Sequence, residues 1–269
     1  MRFGLLLVVA LLSACAVPPT PPDAHVPPFA RIPYEPISRS AVVSIALREW
    51  RLFGSLVDDD PPGSYRPASA ADKPERQQGL WQRVGEYWWL AMNVGAPESG
   101  WTGRHDANGL VFPASEDGTY AWSAAFVSYV MRIAGAGPRF PYSASHSDYI
   151  DIARQVALGQ TSSWLISAER PESYAPLPGD LICLGRGNAR DLRYDDLPAG
   201  HFPAHCDIVV DNAVPGQISV VGGNVDDGVT LKHVPVMPDG KLATPDGVVV
   251  DARYPWMVVL RLLIAGPLS

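Results

Sequence analysis

Apolar positions recur with a helical period in the first half of the chain and form short apolar runs in the second half. The helical spacing predicts three helices, which cover 38–54, about 75–92 and 123–134. After Pro178-Gly179-Asp180, apolar runs separated by turn residues predict five strands. These strands cover 181–184, 205–210, 217–221, 229–234 and 256–264. Because the helices come first and the strand connections are short, we expect an α+β fold with an antiparallel sheet.

The first residues indicate export. Arg2 is followed by the apolar run 3–12, which ends in Leu12-Ser13-Ala14-Cys15. The run is shorter than the roughly 20 apolar residues that a membrane span needs, so 1–14 is predicted to be a signal peptide. The ending resembles the lipobox of bacterial lipoproteins, which implies lipidation of Cys15; a plain signal peptide with an incidental cysteine is the alternative. Ala16 then favours an anchor in the outer membrane that faces the periplasm of a Gram-negative-type bacterium.

Composition narrows the possible partners. Prolines recur between 16 and 37, so 15–37 is predicted to be the lipidated cysteine and a semi-extended tether, and 38–269 a single domain with a helical N-terminal extension. The net charge of -7, without a basic block, argues against nucleic acid. Consecutive aspartates at Asp58-Asp59-Asp60 indicate a solvated turn rather than a metal site. No metal or cofactor is predicted.

Two positions suggest acyl chemistry. Ser123 opens a predicted helix, where the amides and the helix dipole stabilise negative charge; serine is also a favoured helix cap, which is the structural alternative. His205 and Asp207 lie two apart on a predicted strand and share a face. Asn224 follows the next strand and, like Asp207, is a candidate to orient the His205 ring. His201 is the alternative base.

These segments resemble the framework of papain-like cell-wall amidases and peptidases of the CHAP and NlpC type. The framework resides in Trp122 to Val130, Pro178-Gly179-Asp180 and His205 to Val210. Together with 79–89, 142–150 and Gly222-Gly223-Asn224-Val225, they are more similar still to a bacterial family called domain of unknown function 2272. The resemblance implies a papain-like fold in which Ser123 stands where the amidases have cysteine.

The implied activity is hydrolysis of amide bonds in peptidoglycan or a peptide, with Ser123 as nucleophile, His205 as base and Asn224 or Asp207 as the orienting group. The alternatives are an inactive relative that binds peptidoglycan or a protein partner, and a serine esterase or acyltransferase.

Aromatic and histidine side chains are the candidates for substrate contact. These are Tyr120, Trp122, His146 and Trp89. His146 could instead cap the helix that follows it.

Cys183 and Cys206 lie on strands predicted to be neighbours. In an oxidising compartment such a pair can form a disulfide, the alternative being two buried thiols.

Overall fold

The computed structural model describes residues 36–92 and 95–264. Cys15, the signal peptide and nearly all of the tether lie outside these residues, so the lipidation and export predictions stay predictions. In the described part, none of the helices is long and apolar enough to cross a membrane.

Three of the four described α-helices form where the apolar spacing predicts them, and the fourth begins at His146. They are α1 (Arg39–Leu52), α2 (Leu80–Ala91), α3 (Ser123–Ile133) and α4 (His146–Ala157). Helix α2 begins later than predicted, because Pro74–Arg76 forms a separate 3₁₀ turn. Gly79 then adopts φ +91°, a left-handed conformation that separates this turn from the helix.

The sheet has seven strands rather than about five. They are β1 (Leu56–Val57), β2 (Ile166–Glu169), β3 (Leu181–Gly185), β4 (Ala204–Asp211), β5 (Gln217–Val225), β6 (Gly228–Pro235) and β7 (Val258–Leu262). The spatial order is β1-β6-β5-β4-β3-β7-β2. The five predicted strands are β3 to β7, and β3 to β6 form an antiparallel meander.

The prediction of a wholly antiparallel sheet was wrong at one edge. Strand β1 pairs with β6 in parallel, so the sheet is mixed. Strand β1 has two residues, both exposed, which are too few to show a periodic pattern in the sequence. At the other edge, β2 pairs with β7, and its four residues alternate between buried and half-buried.

Apolar side chains cover both faces of the sheet. The larger cluster contains the helices together with Cys206, Ile208 and Val221, and a smaller cluster around Val209, Val220 and Trp256 covers the opposite face. Helix α3 is buried over its first nine residues. It packs directly on β5, where a Cβ on Gly223 would lie only 2.5 Å from Phe126 Cβ. This close packing fixes the N-terminus of α3 beside the sheet.

Candidate active site

Ser123 is the first residue of α3 and does not cap it. Trp122 is the N-cap, and it makes no side-chain capping bond. The Ser123 hydroxyl instead lies 2.6 Å from Nε2 of His146. The side chain is nearly buried but reaches a cleft of about 940 Å³. A hydroxyl in contact with an imidazole beside a cleft is a candidate nucleophile, and the tautomer of that imidazole decides whether it accepts the hydroxyl proton or donates to the oxygen.

His146 connects the serine to a buried phenol. It is the first residue of α4, and its Nδ1 is in hydrogen-bond contact with the hydroxyl of Tyr149, three positions further along that helix. Neither side chain has appreciable exposure. The prediction treated His146 as a substrate contact or a cap, but the structure pairs it with the predicted nucleophile.

His205 belongs to a second, adjacent group. Its ring centroid lies 5.4 Å from that of His146. Nε2 of His205 lies 2.8 Å from Oδ1 of Asp207, and Oδ2 of Asp207 lies 2.7 Å from Nζ of the buried Lys232. Nδ1 of His205 is buried and has no hydrogen-bond partner among the described residues. Gly222 makes room for this group, because a Cβ there would lie 1.9 Å from Oδ1 of Asp207.

Asp207, rather than Asn224, orients His205. Asn224 adopts φ +56° and lines the cleft, but its side chain makes no hydrogen bond to His205 in the described structure. Its left-handed backbone coincides with a bulge in the pairing of β5 with β6, between Gly223 and Val225. Of the two orienting residues that the sequence left open, the geometry therefore favours the carboxylate.

Burial controls the ionisation of both imidazoles. It lowers the pKa of His146 well below its usual range, and the positive charge of His205 would lower it further. Burial also lowers the pKa of His205, although Asp207 opposes this shift. Burial alone would raise the pKa of Asp207, but Lys232 and His205 hold it well below its usual range. At neutral pH the site therefore contains neutral imidazoles and an ionised carboxylate.

A second polar group holds Trp122 in place. The indole Nε1 of Trp122 donates to Oε2 of the buried Glu75 at 2.7 Å. Burial raises the pKa of Glu75 to about 8, so this acid is neutral at pH 7. Glu75, Asp117 and Asp227 bring carboxylate oxygens within 4.8 Å of one another. Lys73 lies 2.7 Å from Asp117 and 3.2 Å from Asp227, so the cluster already contains a cationic group.

Three of the predicted substrate contacts lie elsewhere. Trp122 is fully buried against Phe53 and Tyr87, so it supports the start of α3 instead of meeting substrate. Trp89 is 66% exposed but does not line the cleft. Tyr120 stacks on Phe112 with ring centroids 3.9 Å apart and is not among the residues that line the cleft. Sequence alone does not tell whether an aromatic residue packs in the core, lies in a loop or contacts a ligand, and this is why these three were misplaced.

The cleft is lined instead by a mixture of charged and polar side chains. Besides Ser123, His146 and Asn224, they include Lys73, Glu98, Asp117, Arg186, His201, Asp226 and Asp227. His201 lies on this surface, but no hydrogen bond joins it to Ser123 in the described structure. The backup assignment of His201 as base therefore has no geometric support.

Cys183 and Cys206 form a disulfide between directly opposed positions of β3 and β4. Both sulfur-bearing side chains are fully buried in the helix-facing core. Because alternate residues of a strand point to opposite faces, Cys206 lies away from His205 and Asp207.

Sequence reasoning missed Tyr149 and Lys232. His146 and Tyr149 are three positions apart, which places them on one side of a helix. Lys232 interrupts an apolar run in β6, and a charged residue buried within a strand needs a partner. These two signals were present, but neither identifies the partner across the fold.

The chain belongs to the family described as "Uncharacterized protein conserved in bacteria (DUF2272)", whose model matches residues 75–262. The matched segment contains Ser123, His146 and Tyr149 together with His205, Asp207 and Lys232, whereas Lys73 lies just before it. Neither a curated protein nor a solved structure matches the chain.

Proposed function

We propose that this protein is a serine-dependent hydrolase of the bacterial cell wall that cleaves amide bonds in peptidoglycan peptides. The observation that supports this proposal is the 2.6 Å contact between Ser123 Oγ and an imidazole at the start of a buried helix. The second imidazole, with its ionised partner Asp207, supplies the base and orienting carboxylate that serine requires for nucleophilic attack.

The proposed framework is papain-like. Helix α3 carries the nucleophile at its N-terminus and packs on the meander, and His205 lies near the start of a strand in that meander. This arrangement agrees with the resemblance to the CHAP and NlpC-type enzymes, with serine in the place of cysteine.

In the proposed reaction, Ser123 Oγ attacks the amide carbonyl carbon while its proton moves to a ring nitrogen. The C–N bond then breaks, and the imidazolium returns that proton to the leaving amine. Water attacks the acyl-serine ester by the same route and releases the carboxylic acid. The first intrahelical bond of α3 runs from the amide of Phe126 to Trp122 O, so the three preceding amides have no helical acceptor and can stabilise the oxyanion.

The test uses the full-length protein and purified peptidoglycan fragments, with mass spectrometry to detect a new amine and a new carboxylate. Ser123→Ala should abolish the formation of both products, and Ser128→Ala should retain it. Ser128 is a matched control, because it is a buried hydroxyl on the same helix whose hydrogen bonds in the described structure are to the backbone of Ser143. Undiminished release by Ser123→Ala would contradict the proposal.

Non-catalytic binding is the second candidate, because no hydrogen bond joins Ser123 to His205 in the described structure. Ser123→Cys distinguishes the two, since a thiol at this helix terminus would be activated. If only Ser123→Cys hydrolyses the fragments, the natural protein is a binding protein in a former amidase cleft. Parallel assays with ester substrates test the esterase and acyltransferase alternatives.

We also propose that Cys15 is lipidated and that the protein is held at the outer membrane, facing the periplasm and its peptidoglycan. The support is the sequence Leu12-Ser13-Ala14-Cys15 and the proline-rich segment after it. Cys15→Ala should give an unprocessed precursor or a soluble periplasmic form. Unchanged mass and membrane fractionation would refute this proposal.

A further inference from the structure

The Ser123 hydroxyl has two imidazoles nearby, and the hydrogen bonds around them distinguish their roles. His146 contacts the hydroxyl directly, whereas His205 lies beside His146 and has one unpaired ring nitrogen. A neutral imidazole has one nitrogen that donates and one that accepts. The tautomer of each ring therefore determines which of them can receive the serine proton.

Tyr149 sets the tautomer of His146. Its hydroxyl is fully buried, its pKa is raised well above its usual range by that burial, and His146 Nδ1 is its hydrogen-bond partner in the described structure. If Nδ1 carried the proton, the phenolic O–H would be buried without an acceptor, which costs about 1 to 3 kcal/mol. All donors are satisfied when the phenol donates to Nδ1. The proton of His146 is then on Nε2, and it points at Ser123 Oγ.

Asp207 sets the tautomer of His205. The ionised carboxylate accepts from Nε2 of His205 at 2.8 Å, so the proton is on that nitrogen. Nδ1 is left as a buried lone pair without a donor among the described residues. The Ser123 O–H is correspondingly a donor without an acceptor, because its oxygen already receives the bond from His146.

We propose that His205 is the base that takes the serine proton and that His146, held by Tyr149, is a hydrogen-bond donor to the reacting oxygens. In this assignment Ser123 rotates about its Cα–Cβ bond when substrate enters and directs its O–H at His205 Nδ1. The Nε2–H of His146 then stabilises the charge that develops as the proton leaves. Tyr149 is a positioning residue. The roles of base and donor rest on the proposed function, whereas the two tautomers can be measured without any turnover.

The first measurement is the protonation of each ring nitrogen in the full-length protein, labelled with ¹⁵N-histidine and observed by two-bond ¹H–¹⁵N correlation near pH 7.5. Both rings should be neutral with the proton on Nε2; the spectra of His146→Gln and His205→Gln assign the signals. In Tyr149→Phe, the His146 signal should shift toward the Nδ1–H form, while His205 stays unchanged. A wild-type His146 with its proton on Nδ1 would overturn the inference.

The second measurement is the rate at which a fluorophosphonate probe labels Ser123. Glutamine keeps an N–H donor but accepts no proton, so it separates the two roles. His146→Gln should label within about 10-fold of the wild-type rate, and His205→Gln should lose about 100-fold or more. The reverse pattern would overturn the inference. If both variants lose labelling, the position of the proton on His146 in the ¹H–¹⁵N spectra decides between the two assignments of the base. If the wild type itself is not labelled, the proposed function fails, and the tautomers still test this assignment.

Discussion

Two buried charged clusters in this molecule differ in whether their hydrogen bonds are complete. Among the helices, the fully buried Glu49 accepts hydrogen bonds from Arg83 and from the hydroxyls of Tyr87 and Tyr129. In the sheet, Asp207 pairs with His205 and Lys232, but His205 Nδ1 is left without a partner in the described structure. The helical cluster is closed and joins α1, α2 and α3. The sheet cluster leaves His205 Nδ1 open, and the His205 ring lies 5.4 Å from the ring of His146, which contacts the proposed nucleophile.

The difference shows how to separate structural from chemical roles among buried charges. A closed cluster lowers the free energy of the folded state when all its members are present, and it has no atom left for a reactant. An open cluster retains one group whose desolvation is not compensated, and such groups are concentrated at functional sites.

The largest expected effect comes from Asp207→Asn. The amide would no longer stabilise an imidazolium at His205, and it would leave the charge of Lys232 buried without its counterion. We expect Ser123 labelling per folded molecule to fall about 10⁴-fold. Asp211→Asn is the control, because Asp211 ends the same strand but contacts only the following turn. If labelling fell by less than tenfold in Asp207→Asn, this cluster would have no part in the reaction of Ser123.

The closed cluster should affect folding alone. Glu49→Gln leaves the Arg83 guanidinium without its buried counterion, so the free energy of unfolding should fall by about 3 kcal/mol in urea denaturation. Labelling per folded molecule should not change. Glu86→Gln removes the exposed partner of the same arginine and should cost less than about 0.5 kcal/mol. Equal effects of the two variants would contradict the closed-cluster interpretation.

The open cluster and the neighbouring His146 should also respond to acid. Burial depresses the pKa values of both His146 and His205, so the unfolded chain binds protons more readily than the native protein as the pH falls below about 6.5. The contribution of the imidazoles to the free energy of unfolding should therefore decrease on acidification, by at most about 1.4 kcal/mol per pH unit for each of them, while the raised pKa of Glu75 acts in the opposite direction. Removing one histidine as His205→Gln should reduce this contribution relative to the wild type. An unchanged pH dependence in His205→Gln would show that this imidazole is not its source.

The smallest effect is expected at Asn224. Its left-handed backbone suits glycine, and in the described structure its side chain makes no hydrogen bond. Asn224→Gly should change labelling by less than about threefold, well below the effect of losing a general base, and stability by less than about 1 kcal/mol. A 100-fold loss of labelling would show that Asn224 orients a catalytic ring after all.

Local patterns predicted the elements that carry the site but not which residues contact each other within it. The starts of α3 and β4 follow, within a few positions, from where the helical spacing and the apolar run begin, so Ser123 and His205 could be placed in advance. Asp207 followed from the alternation of a strand. The contact between Ser123 and His146 joins two helix N-termini that are separated by 23 positions, and it depends on how α4 packs, which no local pattern specifies.

The remaining misplacements have the same physical origin. Trp122 has the sequence environment of a cleft residue, but it is buried because Glu75, on a distant turn, supplies an acceptor for its indole. Strand β1 exists only because β6 offers it a partner. Both depend on long-range contacts that composition and period do not determine.

The disulfide has a consequence for the fidelity of strand pairing. Cys206 lies between His205 and Asp207, and it is bonded to the residue directly opposite on β3. If β4 slipped by one residue against its neighbour, each of its side chains would move to the other face, and both polar residues would enter the apolar helical core. The covalent bond forbids this error once it has formed. A chain that folded under reducing conditions would lack this covalent constraint on the register that positions His205 and Asp207.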